Sequence, residues 1–131
     1  MQHLTPAQWR RYRRGGGDRA AVLPAGVPVR EVASGTSRAE ALAGFARTLG
    51  FPAHFGGNLD ALADSLREEA AGTPFTLVWV VDPALPTVDA DRLVGVLAFV
   101  EDEAAAGSSG PPGARQPGLR FRVVVVRDPT S

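Results

Sequence analysis

The amino-acid sequence predicts an α/β domain built on a largely parallel sheet. Segments with helical spacing alternate with short apolar runs, and one run, residues 75–81, is too uniformly apolar to be half exposed. The 131 residues, 44% hydrophobic and 21% charged, suffice for one core and would crowd two. Parallel neighbours need crossover connections of about the length of the helical segments found between the runs.

The elements follow in order. Thr5-Pro6-Ala7-Gln8 combines a capping hydroxyl, a proline suited to the first helical position and a glutamine three residues past the cap, which predicts a short helix to about Arg14, stopped by Gly15-Gly16-Gly17. Residues 20–23 are apolar, Pro24-Ala25-Gly26 reads as a turn, and Val27, Val29 and Val32 continue extended structure until Ser34-Gly35-Thr36, so one strand is expected here. Ser37-Arg38-Ala39-Glu40 reads as a capping box opening a helix in which Ala41, Leu42, Phe45, Ala46 and Leu49 recur at helical spacing, with a left-handed stop at Gly50. Phe51-Pro52 forces a connection. Asn58 then caps a helix with the stripe Leu59, Leu62 and Leu66, running to about Glu69 or Ala70. Gly72-Thr73-Pro74 separates it from the apolar strand 75–81, which is expected to be central in a sheet covered on both faces. Leu93, Val96, Leu97 and Val100 mark a further helix, starting at Thr87 or Asp89 and ending at Gly107. Residues 107–118, GSSGPPGARQPG, read as a flexible loop, and residues 119–127 as a final strand.

Composition narrows the function. Cysteine is absent and His3 and His54 are the only histidines, which excludes a disulfide framework, a zinc knuckle, a thiol nucleophile and a multi-histidine metal site. No G-x-G-x-x-G, Walker-type loop, H-E-x-x-H or G-x-S-x-G is present, so neither a cofactor nor an enzyme is expected. The seven-residue apolar run falls far short of the roughly 20 residues of a membrane span, and the N-terminus lacks a signal-peptide stretch. The expectation is a soluble, cytoplasmic protein without membrane association. The net charge is zero, but its signs are segregated: seven Arg against two acids give +5 over residues 1–39, three Arg against eleven acids give −8 over 40–106, and four Arg against one acid give +3 over 107–131. So acidic a middle segment favours a basic partner and repels nucleic acid. Arg10, Arg11, Arg13 and Arg14, interleaved with Trp9 and Tyr12, admit a nucleic-acid-binding reading beside the plainer one, a solvated face whose aromatics dock on the domain.

Residues 51–66, FPAHFGGNLDALADSL, hold more than a core requires. With Leu59, Leu62 and Leu66 inward, Asp60 and Asp64 share the outward face four residues apart. Asp60 in the first turn complements the helix dipole. Asp64 lies beyond the dipole's reach, is a poor helix former and is repelled by Asp60, which gives a functional reason weight. Gly56-Gly57 permits either positive φ or close approach of another surface. His54 beside Phe55 is either a loop aromatic or a contact residue.

Phe51-Pro52, His54, Phe55, Gly56, Asn58, Leu59, Asp60-Ala61-Leu62 and Asp64 together resemble the signature of the barstar family, intracellular inhibitors of barnase-type ribonucleases. The resemblance extends more weakly over residues 20–127, and it implies a small three-stranded parallel sheet with packed helices. Residues 20–131 would form that domain, with the 107–118 loop, and residues 1–19 a basic helical extension. It also implies inhibition by phosphate mimicry. Asp64 occupies the position of the acid that enters the ribonuclease active site, Asp60 that of its acidic neighbour, and His54 that of an aromatic stacking on a catalytic histidine. Phe55, Gly56, Gly57, Asn58, Ala61 and Ala63 line the contact, and Asp102, flanked by Glu101 and Glu103, falls where a further acid meets the enzyme. The implied partner is a secreted-type microbial ribonuclease held by a monomer in a 1:1 complex. Ala63 stands where the family often has a large aromatic and His54 where it has Tyr, implying a smaller surface tuned to a different ribonuclease. An immunity protein for another toxic nuclease, a nucleic-acid-associated regulator using the Arg-rich helix, and a hydrolase using Asp60 and Asp64 as a carboxylate pair are the competing readings.

Overall fold

Two strands that are largely apolar on both faces form the centre of the sheet in the computed structural model. β3 (Phe75–Val80) and β4 (Phe121–Val126) pair in parallel from Phe75 opposite Phe121 to Val80 opposite Val126. The structure describes residues 1–15, 23, 26–51, 57–72, 74–106 and 121–128. β2 (Val29–Ala33) adds in parallel to the outer side of β3, and β1 (Gln2–Leu4) to the outer side of β4, giving the order β1-β4-β3-β2.

Among the described residues the sheet thus has four strands and not the three expected. β1 is three residues long, too short for an alternation signal. What makes it a strand is the free edge of β4: Leu4 lies opposite Val126, and the Arg127 amide donates to the Leu4 carbonyl at 2.9 Å. The expected apolar stretch 20–23, apart from Leu23, and the expected loop 107–118 lie outside the described residues.

Among the described residues there are four helices, and side-chain caps set the starts of the first three. In α1 (Pro6–Arg13), Thr5 Oγ1 accepts from the Gln8 amide at 3.2 Å while Gln8 Oε1 accepts from the Thr5 amide at 2.8 Å, a complete capping box. In α2 (Arg38–Leu49) only half of the expected box forms. Ser37 Oγ accepts from the Glu40 amide at 3.1 Å, but the Glu40 carboxylate reaches one residue further back, to Thr36 Oγ1. Gly50 closes α2 in the left-handed region, at φ 69°. α3 (Leu59–Ala71) starts from Asn58, whose Oδ1 accepts from the Ala61 amide at 2.8 Å; α4 (Thr87–Ala106) is the longest helix.

Side chains of β3 and β4 alternate between two cores, as the pleat requires. Phe75, Leu77, Trp79, Phe121, Val123 and Val125 pack with Phe45, Leu62, Leu66, Leu93 and Leu97, so α2, α3 and α4 cover one face. Val78, Val124 and Val126 pack with Leu4, Trp9 and Leu23, so α1 covers the other. Trp9 is only 5% exposed, and its Nε1 donates to Glu31 Oε1 of β2 at 3.1 Å. The aromatics of the Arg-rich segment therefore dock on the sheet.

Two mid-helix glycines differ. A Cβ on Gly44 of α2 would meet the Ala33 carbonyl oxygen of β2 at 2.9 Å, whereas one on Gly95 of α4 would meet nothing within 4 Å. Gly44→Ala is expected to destabilise the protein, because β2 or α2 must move, and Gly95→Ala to stabilise it by up to about 1 kcal/mol through helix propensity. Trp9→Ala is expected to cost about 3 kcal/mol. Urea denaturation midpoints at constant m-value test all three.

Candidate functional site

α3 is oriented by its buried stripe. Leu62 and Leu66 are fully buried, which leaves Asp60, Asp64 and Arg67 on the outside. Gly57, at φ 68°, sets the chain for the Asn58 cap, a conformation that favours glycine. Both residues are exposed, Ala61 and Ala63 are half-buried, and His54, Phe55 and Gly56 lie outside the described residues.

Asp60 has no hydrogen bond or ion pair among the described residues and sits in the first turn, where the positive end of the dipole favours it. Asp64 does have a partner: Arg67 Nη1 donates to its Oδ1 at 2.7 Å, although the Asp64 side chain remains 74% exposed. The guanidinium then forks across the helix pair, Nε and Nη2 each donating to the Glu103 carboxylate of α4 at 2.9 Å. The repulsion expected between Asp60 and Asp64 is thus offset by a cation one turn along. The hydrogen bond from Arg67 holds the Glu103 carboxyl below the usual glutamate range. In return, the hydrogen bond to Glu103 is the largest of the effects raising the Arg67 pKa.

Between α3 and α4 lies a groove of about 520 Å³, with Asp60, Ala63 and Asp64 on one wall and Arg92, Val96 and Phe99 on the other. The Arg67 guanidinium sits over the Phe99 ring, 5.5 Å from its centroid. The three consecutive acids of α4 diverge. Glu101 turns to the sheet, its Oε2 accepting from the Val123 amide at 2.6 Å; Asp102 is exposed, without a hydrogen bond or ion pair among the described residues; Glu103 faces α3. Sequence reasoning singled out Asp102, while the acid brought beside Asp64 is Glu103.

Arg67, Glu103, Gly95 and Phe99 are absent from the sequence-derived site. Two signals could have found part of it: Arg67 is three residues past Asp64, and Phe99 is a large apolar residue off the stripe of Leu93, Val96, Leu97 and Val100. Among the described residues, no group of three His, Cys, Asp or Glu side chains could hold a metal ion, and no helix is long and apolar enough to cross a membrane. What remains is an open face with carboxylate acceptors along a groove of mixed lining, charged at Asp60, Asp64, Arg67 and Arg92 and apolar at Ala63, Val96 and Phe99.

A family model described as Barstar (barnase inhibitor) matches residues 29–126, from the first residue of β2 to the last of β4. β1 and α1 precede the matched region. No curated protein matches the chain.

The Arg67 bridge gives a pH test. Because the Glu103 pKa is lowered in the folded state, its contribution to stability is present above the usual glutamate range and is lost as pH falls through the folded value. Glu103→Gln is therefore expected to be less stable than the parent at neutral pH, the difference vanishing in acid. A carboxyl-carbon NMR titration should place the Glu103 midpoint below the usual range, and Arg67→Gln should return it there.

Proposed function

The chain belongs to the barstar family, described as barnase inhibitors, and from that premise we propose that it inhibits a secreted-type, guanyl-specific ribonuclease within the producing cell. Asp64 and Asp60 enter the enzyme's active site where the RNA phosphates would bind. The observation that carries this reading is the exposure of both carboxylates on one face of α3, inside the matched region.

An enzyme that holds RNA phosphate presents clustered cations, and a carboxylate can replace the phosphate through charge-assisted, often bidentate hydrogen bonds. The −8 balance of residues 40–106 favours encounter with such a surface. Arg67 prepares the exchange. In the free protein it offsets Asp64; when a partner's cation takes over Asp64, Arg67 keeps its two-pronged bond to Glu103 and leaves no charge stranded. His54, Phe55, Gly56, Gly57 and Asn58 contribute to this contact from the segment that precedes α3, Ala61 and Ala63 from the flank of α3, and exposed Asp102 as a peripheral acid. The complex is a 1:1 heterodimer in the cytoplasm. Burial of Trp9 weighs against the nucleic-acid reading, because its indole is not free to stack on a base.

Titration of barnase and other guanyl-specific ribonucleases with this protein, followed by RNA cleavage, tests the proposal. The expected result is a 1:1 end point for at least one enzyme, with Asp64→Ala weakening inhibition on the order of a hundredfold or more. Association should slow steeply with salt for the parent. Unchanged inhibition by Asp64→Ala would sink the mechanism.

A further inference from the structure

α4 carries two features that its own packing leaves without a reason. Gly95 lies mid-helix with no positive φ and with nothing within 4 Å of where a Cβ would stand. Any residue but proline would favour the helix there, and no close approach of the kind seen at Gly44 explains the glycine. Phe99, one turn further, is 53% exposed, leaving a large apolar surface in water. Both line the groove with Ala63, so α4 offers it few side-chain atoms at Gly95 and an aromatic ring at Phe99.

Charge says what kind of group fits. One face of the Phe99 ring is taken by the Arg67 guanidinium, which Asp64 and Glu103 hold in place. A cation over one face draws the π electrons toward itself and makes the ring a poorer site for a second cation. With Arg92 a second cation in the lining, the open part of the ring thus favours a neutral group, while arriving cations go to Asp60 and Asp64 of the same groove. The two preferences lie side by side on one continuous surface.

We infer that the groove receives a neutral apolar side chain of the ribonuclease, carried beside the cations that meet Asp60 and Asp64, and that Gly95 and Phe99 select for it. The inference rests on the proposed inhibition of a ribonuclease and adds to it a division of labour. The carboxylates govern encounter with any cationic active site; the groove decides which enzyme stays bound.

The test uses the full chain and, from barnase and a panel of guanyl-specific ribonucleases, the enzyme it inhibits most tightly. Gly95→Leu fills the groove and Phe99→Ala removes its wall; Val88→Ser, at a residue 58% exposed near the start of α4 and outside the groove, is the control. Gly95→Leu and Phe99→Ala should each raise the inhibition constant about tenfold or more, through faster dissociation and equally at low and high salt. Val88→Ser should stay within twofold, and Gly95→Leu should melt no lower than the parent, so that its loss of binding is not unfolding. If the parent inhibits and either groove variant stays within twofold of it, the groove inference is overturned and the Asp64 mechanism stands. If no ribonuclease in the panel is inhibited, the proposed function fails and the groove inference with it.

Discussion

The β3–β4 pair is largely apolar on both faces and hydrogen-bonded on both sides, and nothing else in the fold is free of that constraint. Side chains of the two strands point alternately up and down, so each face must be covered by something apolar. α2, α3 and α4 cover the face that bears Phe75, Leu77 and Trp79, with Phe45 stacked on Trp79 at 5.8 Å between centroids. Trp9 and Leu4 cover the face that bears Val78 and Val124. The direction in which α3 shows its acids follows: Leu62 and Leu66 must meet the sheet, and Asp60 and Asp64 take what is left.

Local chemistry made much of this legible. The boundaries of α1, α2 and α3 follow from Thr5, Ser37 and Asn58 and from Gly15 and Gly50, because caps and left-handed stops act over three or four residues and need no tertiary information. The central position of β3 follows from its uninterrupted apolar run. β1 was not legible, since three residues acquire strand structure only from the edge they join. Nor did the apolarity of β3 reveal what covers its second face; that role falls to residues at the opposite end of the chain.

The candidate site divides in the same way. Asp60 and Asp64 are readable as one face of a helix from their spacing alone. Glu101, Asp102 and Glu103 are not separable by sequence, because successive helical residues differ by about 100° and three of them fan out over about 200°. Only packing against α3 and β4 determines that Glu101 serves the sheet, Glu103 serves Arg67 and Asp102 faces solvent. The Arg67 bridge joins residues 36 positions apart on two helices, a pairing that no local pattern contains.

The strand order also has a temporal side. β4 is the last of the described elements to leave the ribosome, yet it lies between β1, among the first, and β3. Until residues 121–126 emerge, β1 has no strand to join and β3 shows one bare hydrogen-bonding edge lined with valine and aromatic side chains. A nascent or truncated chain that stops short of β4 therefore carries an open template for pairing with other chains. The pairing of β4, and not the assembly of any earlier helix, is the step at which this sheet first becomes safe from aggregation.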